Sequence, residues 1–152
     1  MTAAPAYIPG CFGKLPLAAD FLKRNAAGPA ARAFLHWCEE GVHLLAERRG
    51  DATGELLENL PAFGFVFPDT RSNEFLIGRM IAGRDASGRR FPFSLFLRGS
   101  EWRSVCFGAL PLAFEAFFRE ADRLLREGSR GDVASLFAGI DALGDAAPSD
   151  EA

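Results

Sequence analysis

Histidine, tyrosine and cysteine, which often carry acid–base, metal or thiol chemistry, are scarce in this chain. Its 152 residues include only two histidines, one tyrosine and three cysteines. His36 and His43 lie seven residues apart on one predicted helix, about 10 Å along its axis, which is too far to share a metal ion. We therefore expect surface histidines, no metal site and no cofactor. The odd number of cysteines, with no CxxC pair, indicates free thiols in a reducing compartment.

Excess positive charge and long apolar runs are also missing. The formal net charge is −3, which argues against a nucleic-acid-binding protein because such proteins carry basic surfaces. No apolar run approaches the roughly 20 residues that span a bilayer, and the N-terminus lacks the charged and then apolar pattern of a signal peptide. We expect a cytoplasmic protein with no membrane insertion, existing as a monomer or weak homodimer.

Phenylalanine is abundant, with fifteen residues. Because its ring has no polar tip, most of these side chains are expected in a core. The length suits a single domain, which we place at residues 1–145. Residues 1–6 are predicted to be a loose start, and 146–152 a frayed acidic tail.

Helical periodicity predicts helices on both sides of a central run of strands. Residues 29–49 form the clearest helix, with Pro29 at its start and Gly50 as its stop. Residues 110–128 predict a second amphipathic helix, and Asp132 an N-cap for a third. The predicted apolar stripes are Phe34, Trp37, Cys38, Gly41, Leu44 and Leu45 in the first helix, and Leu112, Ala113, Ala116, Phe117, Ala121, Leu124 and Leu125 in the second.

Short apolar runs in the middle of the chain predict strands near 63–68, 74–83 and 91–98, joined as a meander by short turns. In the last of these, one face is expected to carry Phe91, Phe93, Leu95 and Leu97. The other face also carries apolar side chains, so the strand should be covered on both sides. Pro92 should lie near the start of its strand. Residues 7–13 predict a further strand, and 18–24 one or two helical turns. The element order indicates an α/β or α+β sandwich around a mainly antiparallel sheet.

The stretch GCFGKLP (10–16) contains two glycines and a lysine but does not fit a phosphate-binding loop. Such a loop needs four residues between its glycines and a Ser or Thr after the lysine. Here only two residues separate Gly10 from Gly13, and Leu15 follows Lys14. Pro16 also removes an N–H donor. A turn is the better interpretation.

Two carboxylates near turns are the remaining candidates for a functional site. Asp85 lies in RDASGRR, where Asp accepts local N–H groups and Gly88 supplies a positive φ. Arg89 is expected to pair with Asp85 or with Asp20. The interpretations left open are a structural turn with an ion pair, a partner-binding patch of Lys14, Asp20, Arg89 and Arg90, and a catalytic site.

Taken together, two stretches resemble the signatures of the TagF (ImpM-like) type VI secretion accessory proteins. GCFGKLPLAADFLKR is similar to the first and RDASGRRFPFSL to the second, in the same order. The sequence departs from the family pattern at two points. Ala19 occupies the position of a glycine in the first signature, and the shorter PAFGFVF replaces a tryptophan-rich segment. The matching positions are Gly10, Phe12, Gly13, Lys14, Leu15, Pro16, Asp20 and Phe21 in the first stretch, and Asp85, Gly88, Arg89, Phe91 and Pro92 in the second.

The resemblance implies a three-layer α/β/α sandwich and a non-enzymatic bacterial regulator of type VI secretion, with no catalytic residue. It implies post-translational repression by protein–protein binding, with a forkhead-associated scaffold protein of the secretion system as the candidate partner. We expect the two signatures to meet through Lys14–Asp85 or Asp20–Arg89 pairs, with exposed Phe side chains beside Arg89 and Arg90 in the interface. The alternatives are a small enzyme using Asp20, Asp85 and Arg89, and a self-associating structural subunit.

Overall fold

The computed structural model describes residues 7–128 and 130–148, and its centre is a five-stranded antiparallel sheet. The order across the sheet is β2-β1-β5-β4-β3, so that the last three strands of the chain form the predicted meander. The chain's first strand pairs with its last and extends the meander by two strands. The strands are β1 (Ile8–Gly13), β2 (Leu22–Arg24), β3 (Phe63–Pro68), β4 (Phe75–Ile81) and β5 (Phe93–Gly99).

Five helices accompany the sheet among the described residues, with short 3₁₀ turns between some of them. They are α1 (Pro29–Arg49), α2 (Thr53–Glu58), α3 (Leu110–Ala113), α4 (Glu115–Glu127) and α5 (Val133–Ala142). The predicted ends of α1 are confirmed, with Pro29 in its first turn and Gly50 at φ 50° after its last. Asp132 caps α5 as predicted, accepting the Ser135 N–H at 2.8 Å. None of the helices in this described part has the length and apolar character that a membrane crossing requires.

Helices pack on both faces of the sheet and complete three layers. On one face, Phe93, Leu95 and Leu97 of β5 pack with residues of α3, α4 and α5. On the other face, Phe96 of β5 packs with Phe34 and the neighbouring residues of α1. All four of these β5 side chains are fully buried, as expected for a strand covered on both sides. The predicted α/β/α sandwich is therefore confirmed.

The predicted helical turn at 18–24 is wrong, because this segment carries the strand β2. Leu22 lies opposite Gly13 and Arg24 opposite Cys11, antiparallel to β1. The apolar spacing of AADFLKR fits one helical turn equally well, but the backbone groups of Leu22–Arg24 find partners on the free edge of β1. A tertiary pairing has overridden a local preference.

The predicted continuous helix at 110–128 is divided at Phe114, whose φ of −101° and ψ of 19° interrupt it between α3 and α4. Its stripe was also misplaced: Leu112, Ala113 and Ala116 are exposed. The phenylalanine rings decide which side of α3 and α4 faces the sheet. Buried residues that recur at alternating steps of four and three form one continuous stripe along both helices. The buried set is Leu110, Phe114, Phe117, Ala121 and Leu124.

Two further side-chain predictions are corrected. In α1 the buried residues include Phe34 and Cys38, but Trp37 is 57% exposed and Leu44 44%. All buried side chains of α1 lie in its first half, so periodicity identified an apolar stripe that the sheet covers only partly. Phe91 does not share a face with Phe93: it precedes β5, where strand alternation no longer applies, and packs on the α1 side.

The C-terminal residues lie partly outside the described structure. Ala146 and Ala147 pack against the core beside α5. Residues 149–152 of the predicted tail and the predicted loose start, 1–6, lie outside the described residues.

The assignment of the α3–α4 stripe predicts a strong contrast between two apolar residues. Phe117→Ala should destabilise the protein by about 3–5 kcal/mol because it leaves a cavity in the core. Leu112→Ala should change stability by less than about 0.5 kcal/mol, since Leu112 is 81% exposed. Urea unfolding of both variants measures the difference. Equal losses would contradict the orientation of α3 and α4.

Candidate functional site

The two signature segments meet at a buried ion pair. Lys14 follows β1, and Asp85 begins the turn between β4 and β5. The Lys14 Nζ lies 3.2 Å from the Asp85 Oδ2, and the two side chains are 9% and 0% exposed. The predicted Lys14–Asp85 contact is therefore present. Because both groups are covered, neither side chain offers its charge to a partner.

Asp85 binds donors from both signatures through both of its carboxylate oxygens. Its Oδ1 accepts the backbone N–H groups of Ser87 and Arg89, each at 2.9 Å. Its Oδ2 accepts the Arg89 Nε–H at 2.8 Å in addition to the Lys14 ammonium. The Gly88 N–H donates to the Asp85 carbonyl at 3.0 Å and closes the turn. The predicted pairing of Arg89 with Asp85 is thus observed.

These contacts determine the ionisation of Asp85. Burial raises the pKa of the carboxyl group, but hydrogen bonds from the Arg89 N–H, the Lys14 ammonium, the Ser87 N–H and the Arg89 guanidinium lower it. The net pKa of Asp85 lies below its ordinary value. A carboxylate held ionised in this way is a poor proton donor near neutral pH.

Hydrogen bonds from Arg89 and its neighbour Ala86 connect the turn to residues 18–19 of the first signature segment. Its Nη2 donates to the Ala19 carbonyl at 2.5 Å, and the neighbouring Ala86 N–H donates to the Ala18 carbonyl at 2.8 Å. The expected Asp20–Arg89 pair is not among the ion pairs of residues 7–128 and 130–148. Asp20 is exposed and accepts the Phe21 N–H at 2.8 Å.

Glycines allow the close approach of the two segments. Gly13 has φ 138°, and a Cβ there would lie 2.2 Å from the Pro92 carbonyl oxygen. A Cβ at Gly83, two residues after β4, would lie 2.2 Å from the Lys14 carbonyl oxygen. Gly88 has φ 86° but faces open space. Pro92 immediately precedes β5, as predicted.

Three phenylalanine rings form a cluster beside the ion pair. Phe21 stacks on Phe12 with centroids 5.1 Å apart, and its edge meets Phe91 at the same distance. The Lys14 ammonium lies 4.7 Å from the centre of the Phe21 ring. Phe91 is buried and contributes little surface, whereas Phe21 is 38% exposed. The expected exposed aromatic is therefore Phe21 rather than Phe91.

Arginines line an open cleft of about 230 Å³ next to the turn. Arg90 donates to the Glu58 carboxylate at 3.0 Å, while Arg84 is exposed and has no ion pair among the described residues. Sequence reasoning missed Arg84 and Glu58. Arg84 adjoins the signature and could have been included, but no sequence signal places Glu58 there. Pro16 also lines this cleft, with Leu15, Glu58, Ile81, Ala82, Gly83, Arg84 and Arg90.

The histidines and cysteines lie apart from this cleft. His36 and His43 are exposed on α1, each beside a glutamate one turn later. Burial raises the pKa of the Cys11 and Cys38 thiols to about 12, which leaves almost no thiolate near neutral pH. In the described residues, no group of three or more His, Cys, Asp or Glu side chains could hold a metal ion.

This geometry defines an antiparallel α/β/α sandwich in which two signature segments are joined by a buried carboxylate. The model of the TagF N-terminal domain, described as type VI secretion system-associated, matches residues 10–143. The chain therefore belongs to the TagF N-terminal domain family and is a type VI secretion-associated protein. No curated protein matches the sequence.

A solved structure shares the fold. The crystal structure of PA0076 from Pseudomonas aeruginosa PAO1 superimposes with a TM-score of 0.77 at 20% sequence identity. The match covers 89% of this chain and 62% of that one. This chain thus spans less than two thirds of PA0076, and at this identity the likeness shows the fold alone.

The buried carboxylate predicts a specific dependence of stability on pH. At neutral pH, Asp85→Asn should lower the melting temperature by several degrees, because the amide presents N–H groups to groups that are themselves donors. Asp20→Asn, the matched control, should have little effect. A group with a lowered pKa stabilises above its ordinary value, 3.8 for Asp85, and loses this as pH falls through the lowered value.

The stability difference between wild type and Asp85→Asn should therefore be full above about pH 5 and shrink below about pH 4. Thermal unfolding across this range measures it for both variants. A difference that stays constant down to acid pH would contradict the ionised, hydrogen-bonded state of Asp85.

The contact between Gly13 and Pro92 predicts an intolerant position. Gly13→Ala should destabilise the protein by more than about 2 kcal/mol, because a backbone carbonyl occupies the space of the new methyl group. Gly88→Ala is the control, since its positive φ alone costs about 1 kcal/mol. Chemical unfolding of both variants makes the comparison. Similar losses at the two positions would contradict the close approach of β1 to Pro92.

Proposed function

We propose that this protein regulates a type VI secretion system by binding another protein through the exposed surface around the β4–β5 turn. We define this signature surface as the cleft lined by Arg84 and Arg90 together with the exposed ring of Phe21, which packs on Phe91. The type of regulation proposed is post-translational repression, and the candidate partner is a forkhead-associated scaffold protein of the same system. Family membership supports the link to secretion, and the surface supports binding.

The observation that carries the proposal is an exposed arginine at an open cleft next to a turn that Asp85 holds rigidly. Arg84 has no ion pair among the described residues, so a partner carboxylate can engage it without displacing an internal one. Phe21 offers exposed apolar area on the same two segments, where its ring lies beside Lys14 and packs on Phe91. Aromatic and arginine side chains dominate the binding energy of protein interfaces, and a prearranged surface lowers the entropy lost on binding.

The alternative of a small enzyme at Asp20, Asp85 and Arg89 has less support. Catalytic carboxylates are usually tuned toward the working pH, which for an acid means a raised pKa. The pKa of Asp85 is instead lowered, and its oxygens bind four donors from the fold. Among the described residues, Asp20 accepts a hydrogen bond only from the adjacent Phe21 N–H. The arrangement therefore favours a structural role for Asp85.

A charge-reversal pair tests the signature surface. Purified wild type should bind the purified scaffold protein of its own secretion system, and Arg84→Glu/Arg90→Glu should weaken binding at least tenfold, as measured by biolayer interferometry. Arg89 is left unchanged because it holds the turn. Arg71→Glu is the control, since Arg71 lies exposed in the turn at the other end of β4 and should bind as wild type does.

Two results would contradict the proposal. If wild type does not bind the scaffold protein, the partner is wrong. If it binds and the double variant binds equally well while remaining folded by circular dichroism, the signature surface is wrong. A loss shared by Arg71→Glu would indicate a general effect of charge rather than a contact at the cleft.

A further inference from the structure

The edge strand β3 is unusually apolar for a strand with a free side. It is the outermost strand of the sheet and reads FGFVFP over six residues. Natural edge strands are generally kept short or protected by charges, prolines or bulges, because an open edge pairs with other chains. Here there is no charged residue from Leu60 to Pro68, and only the final proline interrupts pairing.

The register shows which backbone groups of β3 face outward. The Asp69 N–H donates to the Glu74 carbonyl at 3.0 Å just beyond the strand. In an antiparallel ladder the hydrogen-bonded pairs recur every two residues, so Phe63, Phe65 and Phe67 bond to β4. Gly64 and Val66 therefore direct their N–H and C=O groups away from the sheet. Pro68 falls in the same outward set, where its missing N–H costs no ladder bond.

These outward groups are unpaired within the described part of the chain. No hydrogen bond from residues 7–128 or 130–148 reaches the backbone of Gly64 or Val66 from the open side. An incoming strand would therefore find a ready ladder partner.

Both faces of the sheet present apolar side chains at this edge. On the α1 side, Phe63, Phe65 and Phe67 are half-buried, and the exposed Trp37 ring lies 6.2 Å from that of Phe67. On the α4 side, a groove of about 380 Å³ runs along Gly64 and Val66 and is bordered by Phe118, with the charged Arg79 and Glu115 also in its lining. An added strand would thus need apolar side chains on both of its faces.

We propose that the occupant of this edge is the β3 strand of a second copy of the chain, paired antiparallel across a two-fold axis. β3 itself has the required pattern, with three phenylalanines on one face and Gly64 and Val66 on the other. A register centred on Phe65 places Phe63 opposite Phe67 of the second copy, and Gly64 opposite Val66. Each outward N–H of Gly64 and Val66 then meets a carbonyl, and aromatic pairs form across the axis.

Charge does not oppose this pairing. Each copy carries a formal net charge of −3, yet β3 is uncharged. The nearby Arg79 and Asp122 neutralise each other at 2.8 Å. Symmetric, self-complementary interfaces are the usual route to homodimers. One added strand buries area near the lower limit of specific interfaces, so the dissociation constant is expected on the order of 10 µM.

The test blocks the outward N–H without disturbing the ladder to β4. Val66→Pro removes that donor, and Val66→Thr is the control that retains it with a similar shape. Sedimentation velocity from low to several hundred micromolar protein should show wild type and Val66→Thr dimerising. Val66→Pro should remain monomeric, with a dissociation constant raised at least tenfold. A wild type that is monomeric throughout, or a Val66→Pro variant that dimerises as wild type does, would overturn the proposal.

A second measurement needs no variant and applies even if Val66→Pro does not fold. Amide hydrogen exchange of wild type should slow at Gly64 and Val66 as the protein concentration rises through the dissociation constant. Exchange independent of concentration would contradict self-pairing. Protection that occurs only on addition of the scaffold protein would assign the edge to that partner instead. Val66 is not part of the signature surface. The outcome of this experiment therefore does not affect the test of that surface.

Discussion

A single buried carboxylate connects the two distant parts of the sequence that define this protein. Asp85 binds the Lys14 ammonium, the Arg89 guanidinium and the N–H groups of its own turn. A buried charge is tolerated only when it is paired and hydrogen-bonded. These donors together meet that requirement for the Asp85 carboxylate. Lys14 is held at the end of β1, while the turn is held between β4 and β5. The ion pair thus fixes the relative position of two sheet segments that are far apart in sequence.

The rest of the candidate site follows from this constraint. The short separation between the segments requires Gly13 and Gly83, where side chains would collide with backbone carbonyls. Arg89 is occupied by Asp85 and the Ala19 carbonyl, so it holds the turn in place. Arg84 and Phe21 are left at the surface on a rigid base. Some residues of the two segments therefore hold the local structure in place, and others, Arg84 and Phe21, are exposed to a partner.

Much of the fold could be predicted from the sequence because its strongest patterns are local. Pro29 and Gly50 bound α1, Asp132 caps α5, and the three apolar runs form the meander. The Lys14–Asp85 contact followed from the resemblance of both segments to one family. These features depend on capping, turn and alternation rules that act over a few residues.

The features that could not be predicted depend on distant partners. Leu22–Arg24 is a strand only because β1 has a free edge beside it. The orientation of α3 and α4 is decided by which phenylalanines fit against the sheet, so that Leu112 faces outward. Trp37 and Leu44 are exposed because the sheet covers only part of α1. A pattern of apolar residues does not reveal how much of an apolar stripe its neighbours cover.

A double-mutant cycle on Lys14 and Asp85 tests the central claim most directly. Unfolding free energies would be measured for wild type, Lys14→Met, Asp85→Asn and the combined variant. Because the two side chains are in contact, their effects should be strongly non-additive, with the combined loss well below the sum of the single losses. Additive losses would contradict the account, since they would mean that the two signatures stabilise the fold independently of each other.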